Sequence, residues 1–186
     1  MLKVAKEDAI NKIGHNLHEL HPEFRKVSLE CQRVKEICRS LGFKICLVPQ
    51  SMLICKPPRI GGAVNAHVDG AFLFTTPQTV VGLWWPLEDC TVNNGCLWAV
   101  PGSHVNGVKR RFKRNAAGTG TEFEPVEDHG FVLDGAAPLE CPKGSLVLIH
   151  SSVVHFSHAN TSEISRFAYS IHVVDGTAEW DKENWL

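Results

Sequence analysis

Two histidines and an aspartate have the spacing and the chemistry of a metal site. His67 and Asp69 are separated by one residue, so on a β-strand their side chains would project from the same face. His155, within a later apolar run, offers a third ligand. Two imidazoles and one carboxylate on one side of Fe(II) leave adjacent positions open, as in the non-haem iron oxygenases. Because Zn²⁺ accepts the same ligands in catalytic sites, the ligand types alone leave the metal undecided.

An arginine that follows the third ligand favours iron with a dicarboxylate co-substrate. Arg166 lies 11 residues after His155, a separation that fits a strand, a tight turn and a returning antiparallel strand. Its guanidinium could bind a distal carboxylate through two parallel hydrogen bonds. 2-Oxoglutarate has such a carboxylate, and its keto-acid end could chelate iron at two positions, which leaves one position for O2. Arg166 is therefore predicted to act together with the three metal ligands in catalysis.

The elements that must position these residues change along the chain from helical to extended. Residues 1–42 are predicted to form a helical part, with one short helix opening at 8–13 and a second over 27–38 before Gly42 at a C-cap position. After Gly42, short apolar runs alternate with turn residues, which is typical of a sandwich or jelly roll. These runs are 45–48, 52–55, 71–74, 80–85, 96–100, 145–149, 153–156 and 167–174.

Two further segments bear on the architecture. Asn94-Gly95 is the strongest hairpin signal, because both residues tolerate the positive φ of a tight turn. Residues 105–140 have few apolar runs and are interpreted as an insertion or lid. Within them, the basic run 109–114 is expected to be a solvated hairpin or loop, and the alternative is an anion-binding rim at the pocket mouth. We predict one mainly β domain over 1–186, with N-terminal helices packed against a jelly-roll (double-stranded β-helix, cupin-like) core over 43–186.

Composition argues against several classes of function. The 186 residues contain 19 Lys and Arg and 20 Asp and Glu, so no general attraction to nucleic acid or to an anionic membrane is expected. No apolar run has the length of a transmembrane helix, and the charged N-terminal segment is unlike a secretory signal. Seven cysteines without a CxxC pair predict free thiols in a reducing compartment, and the C-terminus is not an SKL-type peroxisomal address. The expectation is a cytoplasmic protein with a small-molecule substrate, for which a monomer is plausible.

Several longer motifs resemble the phytanoyl-CoA dioxygenase family. They include AHVDGAFLFT, LEDCTVNNGCLWAVPGSH and KGSLVLIHSSVVHFSHANTSEISR, and the similarity extends from about residue 10 to residue 186. The resemblance implies a double-stranded β-helix that hydroxylates C–H bonds with O2 as co-substrate, and Fe(II) bound by His67, Asp69 and His155. It further implies that 2-oxoglutarate is contacted by Lys12, Met52, Trp84, Ser157 and Arg166 as well as by residues of the iron site, His67 and Asp69. The family name suggests an acyl-CoA-like substrate, and a family N-terminal region is expected to be missing ahead of this chain.

Two other interpretations of the same residues stay open. One is a jelly-roll module that binds the metal and 2-oxoglutarate with weak turnover or none. The other is a zinc-dependent hydrolase or isomerase on a cupin-like barrel, which gives Arg166 and Lys12 no particular role and offers no obvious general base. Among the other histidines, His104 and His150 are expected to lie outside the site. The three histidines between residues 15 and 21 are expected to form a solvated face.

Overall fold

Two antiparallel sheets form the core of the computed structural model, which describes residues 9–125 and 130–186. The strands are β1 (Lys12–His15), β2 (Cys46–Ile54), β3 (Val64–His67), β4 (Thr75–Thr76), β5 (Val81–Pro86), β6 (Leu97–Ala99), β7 (Arg111–Arg114), β8 (Thr121–Glu124), β9 (Ala137–Leu139), β10 (Val147–His150), β11 (His155–Ser157), β12 (Ala168–Asp175) and β13 (Glu179–Trp180). The helical elements are α1 (Leu17–Leu20), α2 (Pro22–Arg25), a π-helical segment (Lys26–Glu30), α3 (Gln32–Ser40) and two 3-10 turns (Asp69–Ala71 and Ser103–Asn106).

The strand order shows how distant parts of the chain meet. The larger sheet has the order β1-β2-β12-β5-β10, and the smaller sheet has the order β3-β11-β6-β9. Two short pairs, β13-β4 and β7-β8, complete the strands of the described residues. Most neighbours in both sheets are far apart in sequence, and this requires the crossing connections of a jelly roll.

The side chains of β12 alternate between the two faces of the larger sheet. One face is covered by helices, and the other is turned toward the smaller sheet. Ile171 and Val173 are fully buried against Val34 and Cys38 of the helical layer. Ala168, on the opposite face of the strand, belongs to a second apolar cluster that includes β6. Because successive residues of a strand alternate between its faces, residues 168, 170 and 172 all face the inter-sheet side. The predicted mainly β fold with helices packed against it is confirmed.

The N-terminal part differs from the prediction. The described portion of the helix predicted at 8–13 is a turn followed by β1, because Lys12 and Ile13 pair with the edge of β2. The helix predicted at 27–38 is interrupted at Cys31, where the backbone is extended (φ −65°, ψ 116°). Val34 and Cys38 then form the buried stripe of α3, which ends before Gly42 at φ +84°. Tertiary pairing with β2 outweighs the weak local helical pattern.

Several of the predicted strands differ from the strands in the structure. The runs at 45–48 and 52–55 join into β2 through a proline, and the register opposite β12 shifts between His172 and Val174 at that point. Residues 71–74 are not a strand, because a 3-10 turn begins at Asp69. The insertion contains the β7-β8 hairpin. Within the described residues, no helix has the length and apolar character needed to cross a membrane.

The turn at Asn94-Gly95 does not connect a hairpin. It leads from the larger sheet into β6, whose partners are β9 and β11 of the smaller sheet. Gly95 has φ +82°, and a Cβ there would lie 2.7 Å from the carbonyl oxygen of His158. The glycine is thus required for a close approach of two loops as well as for the turn.

Candidate metal centre

The three predicted ligands meet where β3 and β11 lie side by side. His67 ends β3 and Asp69 begins the following 3-10 turn. His155 opens β11 and is the direct antiparallel partner of His67. Val68 and Val154, the alternating residues, pack together in an apolar cluster. The ligand atoms of the histidines and the aspartate consequently lie within 4.8 Å of one another.

Hydrogen bonds to the backbone fix which imidazole nitrogens face the centre. Nδ1 of His67 lies 2.8 Å from the carbonyl oxygen of Asn65, and Nδ1 of His155 lies 3.0 Å from that of Val153. Because a carbonyl oxygen only accepts, each Nδ1 carries a hydrogen, so that each Nε2 is the nitrogen left to offer a lone pair to a metal. The Nε2 atoms of His67 and His155 lie 3.7 Å and 3.5 Å from Oδ1 of Asp69. The three donor atoms converge in the manner that a divalent metal ion requires.

The protonation states also suit a cation. Burial, assisted by the neighbouring His155, lowers the pKa of His67 to about 4, so its imidazole is neutral at pH 7. Burial alone would raise the pKa of Asp69, but His172 and His155 outweigh it and hold that pKa well below its usual range. The site therefore presents a carboxylate and a neutral imidazole without prior loss of a proton.

Two residues that sequence reasoning missed shape the surroundings of Asp69. Nε2 of His172 lies 3.2 Å from Oδ2 of Asp69, the oxygen turned away from the other two histidines. Gly82 pairs with His172 across the sheet, and a Cβ there would lie 3.0 Å from the same oxygen. A histidine at an inward position of the buried strand β12 is the signal that could have drawn attention to this residue.

A cavity of about 1070 Å³ opens from the metal centre. His67 and Asp69 line its inner end, and an aromatic wall extends outward from Phe72, whose ring lies 6.0 Å from that of His67. The wall continues through Phe112, Phe123 and Trp185, with ring centres 4.9 to 6.1 Å apart. Such a volume and lining are those of a site for a small, mostly apolar molecule.

Arg166 lies beside Trp84 and beneath the turn before β6. Its side chain is 1% exposed, its Nε donates to the carbonyl oxygen of Gly95 at 3.1 Å, and its guanidinium carbon lies 5.5 Å from the centre of the Trp84 ring. Its Nη1 is buried and has no hydrogen-bond partner among the residues that the structure describes. A buried cation with an unused donor is costly unless an anion binds there, so this observation favours an anionic ligand.

Two buried polar residues hold the loops around Arg166. The Nζ of Lys56 donates to the carbonyl oxygens of Gly62 and His158, and burial, together with the charge of Arg166, lowers the pKa of this lysine to about 8. Asn160 is fully buried and its Nδ2 donates to the carbonyl oxygen of Lys56 at 3.0 Å, while the backbone N–H of Arg166 donates to that same oxygen at 2.9 Å. Sequence reasoning missed both residues.

The remaining predicted co-substrate contacts are divided between the cavity and the sheet interior. Lys12 and Met52 line the cavity. Met52 pairs with Ser170, and Ser170 pairs with Trp84, so Met52 and Trp84 lie on one row across three strands. Ser157 is buried on β11, two residues beyond His155 and on the same face. Trp84, Ser157 and Arg166 are not among the residues that line the cavity, and neither is His155.

The other histidines divide differently from the prediction. His104 and His150 contact each other with ring centres 5.3 Å apart and do not line the cavity. The expectation of a solvated face at residues 15–21 is wrong for two of its three members. His18 is buried with its Nδ1 2.8 Å from the Ser51 hydroxyl, and His15 lines the cavity. These histidines lie in different elements, since His15 ends β1, His18 lies in α1 and His21 caps α2, so they point to different sides.

Most of the basic run has structural partners. Arg111 pairs with Asp181 at 2.9 Å and Lys113 with Glu183 at 3.1 Å, which ties the β7-β8 hairpin to the C-terminal segment. Arg110 lies over the ring of Phe123 at 4.2 Å. Lys109 and Arg110 line the cavity. The expected hairpin is thus present, and its N-terminal end contributes cations to the cavity.

Comparison with known families identifies the chain. Residues 2–168 match the family described as "Phytanoyl-CoA dioxygenase (PhyH)". The chain belongs to the phytanoyl-CoA dioxygenase family. It is 49% identical over 187 residues to "Phytanoyl-CoA dioxygenase 1" of Oryza sativa subsp. japonica, and covers 65% of that protein. It is 46% identical over 190 residues to "Phytanoyl-CoA dioxygenase domain-containing protein 1" of Bos taurus, and covers 64% of it. These matches span 100% and 98% of this chain, which is about two thirds as long as either relative.

Solved structures support the fold of this family member. EctD from S. alaskensis, solved with 2-oxoglutarate and 5-hydroxyectoine, superposes with a TM-score of 0.72 at 17% identity, over 99% of this chain and 66% of that one. AviO1 from Streptomyces viridochromogenes Tue57 superposes with a TM-score of 0.69 at 23% identity, over 96% of this chain and 72% of that one. At these identities the likeness establishes the fold, and the jelly-roll prediction is confirmed.

Proposed function

We propose that this chain is an Fe(II)- and 2-oxoglutarate-dependent dioxygenase that hydroxylates a C–H bond of a small organic molecule. The observation that carries the proposal is the convergence of His67, Asp69 and His155 beside a large cavity, which the first two residues line. Membership of the phytanoyl-CoA dioxygenase family supports the same reaction. Fe(II), once bound, would activate O2 while 2-oxoglutarate is converted to succinate and CO2.

The chain's own residues have separable tasks in this reaction. The two imidazoles and the carboxylate would hold the metal from one side, which leaves positions for the co-substrates. Arg166 would bind the distal carboxylate of 2-oxoglutarate through its free Nη1, and Trp84 would lie against that ligand. Lys12 would supply a second cation from β1. The aromatic wall that begins at Phe72 would exclude water and orient the substrate.

The cavity also limits the chemistry of the substrate. Its aromatic wall favours an apolar body, and the names of the relatives suggest an acyl-CoA. Its volume of about 1070 Å³ is at the upper end of sites for small molecules. We propose an apolar substrate whose reacting carbon reaches the metal centre next to His67.

We expect the purified protein, prepared without oxygen, to bind one Fe(II) ion per chain and then to convert 2-oxoglutarate to succinate when air is admitted. Mn(II) and Co(II) should occupy the same ligands without turnover, because the ligand types accept all three ions. Calorimetric titration measures the binding, and mass spectrometry measures succinate against the 2-oxoglutarate consumed.

Two outcomes would contradict this prediction in different ways. Tight zinc binding with negligible affinity for iron would favour the hydrolase or isomerase interpretation. Iron and 2-oxoglutarate binding without any succinate would favour a binding module. A His155→Ala variant serves as the control, because it removes one ligand from a strand whose partners stay in place.

Lys109 tests whether the cavity attracts anions. We expect Lys109→Glu to weaken binding of 8-anilinonaphthalene-1-sulfonate about three- to tenfold at low salt, because reversing one charge at a solvated site changes the binding free energy by about 1 kcal/mol. N-phenyl-1-naphthylamine, the same ring system without the sulfonate, should bind equally to both proteins. Probe fluorescence measures the two affinities.

Arg114→Glu provides the matched control for Lys109→Glu. Arg114 is exposed at the far end of β7, the strand that follows Lys109, and does not line the cavity, so its reversal should leave both probes unaffected. Equal effects of the two variants would mean that the basic run acts only through general surface charge.

A further inference from the structure

His172 lies beside the metal centre, although it belongs to a strand of the other sheet. It lies on the inward face of β12, between Gln50 of β2 and Gly82 of β5 in the register of the sheet. Its side chain is buried, and its Nε2 lies 3.2 Å from Oδ2 of Asp69. The other carboxylate oxygen faces His67 and His155. The two oxygens of Asp69 are therefore directed to different partners.

Two polar atoms at this contact are left without a hydrogen-bond partner among the described residues. Oδ2 of Asp69 is one of them, although Nε2 of His172 lies within donor distance at 3.2 Å, so an N–H on Nε2 can donate to Oδ2 only after a small rotation of the ring. The opposite nitrogen, Nδ1, is buried and has no hydrogen-bond partner among the described residues. An apolar side chain would fill this inward position without an unsatisfied nitrogen. A histidine there is explained by the carboxylate oxygen that its Nε2 approaches.

The space around the carboxylate is restricted on a second side. Gly82 is the direct neighbour of His172 across the sheet, and a Cβ at that position would lie 3.0 Å from Oδ2 and 3.3 Å from Cβ of Ile149. The missing side chain leaves room for Asp69, and Nε2 of His172 lies beside the same oxygen. Together they restrict the space around Oδ2.

We propose that His172 is a positioning residue for the metal ligand Asp69. By donating to Oδ2, it keeps that oxygen away from the metal position and turns Oδ1 alone toward the two imidazole nitrogens. A carboxylate that binds through one oxygen occupies one position on the metal, which leaves the others for the co-substrates. The inference rests on the proposed metal site and assigns His172 no direct contact with the ion.

Replacing His172 by glutamine or by asparagine distinguishes a role in positioning Asp69 from a role in packing. In His172→Gln the amide nitrogen can reach the place of Nε2, whereas in His172→Asn the shorter amide reaches only the place of Nδ1 and leaves Oδ2 without a donor. Both variants keep a buried polar side chain of similar chemistry. The measurements are Co(II) affinity by calorimetry, the visible absorption of the bound Co(II), and the melting temperature without metal.

We expect His172→Gln to bind Co(II) within about threefold of the parent chain with the same absorption spectrum. His172→Asn should bind about 10- to 100-fold more weakly, the range known for lost hydrogen bonds to metal ligands, with a changed spectrum because the carboxylate reorients. If His172→Asn fails to fold, His172→Leu carries the same expectation, since leucine suits a buried strand position but cannot donate.

Unchanged Co(II) affinity and spectrum in a folded His172→Asn or His172→Leu variant would overturn the proposal. Equal losses in the glutamine and asparagine variants would also overturn it, since they would mean that the shape of the ring matters and its donor does not. Failure of the parent chain itself to bind Co(II) would contradict the proposed metal site, and so the two hypotheses fail by different results.

Discussion

Asp69→Ala is expected to abolish conversion of 2-oxoglutarate to succinate, down to the level of metal-free protein. The carboxylate is the single negative charge among the three ligands, and its Oδ1 lies between the two imidazole nitrogens. Its removal leaves two imidazoles, which are too few to fix a divalent ion on one side. Succinate formation and calorimetric metal binding measure the loss.

The fold itself should survive this substitution. The turn at Asp69 is held by the backbone, because the N–H groups of Phe72 and Leu73 donate to the carbonyl oxygen of residue 69 at 3.0 and 3.1 Å. Adding Co(II) should therefore raise the melting temperature of the parent chain and leave that of Asp69→Ala unchanged, as expected when an ion binds only the native parent site. An active Asp69→Ala variant that retains iron would refute the assignment of the ligands.

A conservative substitution of Asp69 and substitutions of two histidines outside the cavity complete the test of the ligand assignment. Asp69→Glu should be equally inactive, because an extra methylene displaces the oxygen into a space already limited by His172 and Gly82. His104→Ala and His150→Ala should keep most of the activity, since their rings contact each other away from the cavity.

Arg166→Lys is expected to weaken 2-oxoglutarate binding about 10- to 100-fold while metal affinity is retained. Lysine keeps the positive charge but loses the planar fork, and a lost charge-assisted hydrogen bond of about 1.5–3 kcal/mol corresponds to that range. It would also leave the carbonyl oxygen of Gly95 without the Nε donor. Titration of the Co(II)-loaded protein with 2-oxoglutarate measures the affinity.

Arg59→Lys is the matched control. Arg59 is an exposed arginine whose guanidinium is paired with Glu163, whereas Arg166 is buried with an unpartnered Nη1, so replacement of Arg59 should leave 2-oxoglutarate affinity unchanged. An unchanged affinity in Arg166→Lys would instead assign the distal carboxylate to another cation, and Lys12, which lines the cavity, would be the first to test.

The sequence determined the local part of the metal centre. The spacing of His67 and Asp69 predicts that both side chains project to one side if the residue between them is extended, and Val68 is extended (φ −126°, ψ 136°) even though Asp69 begins a turn. The succession of short apolar runs and turn residues likewise predicted a mainly β fold. Arg166 was identified by its distance from His155 along the chain, and the loop between them does return the arginine to the interior.

The tertiary structure decided which residues lie opposite the candidate metal ligands. Local patterns carry no information on which strands become neighbours, and the pairing of β3 with β11 sets His155 opposite His67. The same long-range pairing turned the expected hairpin at Asn94-Gly95 into a connection between sheets whose carbonyl oxygen holds Arg166. It also extended Lys12 into β1 where a helix was predicted.

His172 shows most clearly what the sequence alone does not predict. Nothing adjacent to it in sequence indicates a partner for its ring, and its contact with Asp69 exists because β12 lies between β2 and β5 in the larger sheet. A contact between residues on two strands depends on the order of the strands and on their register. Both are set by which residues the sheet buries on its two faces, and the sequence next to either residue does not reveal them. The sequence by itself therefore predicted three candidate metal ligands, and only the folded chain places His172 beside one of them.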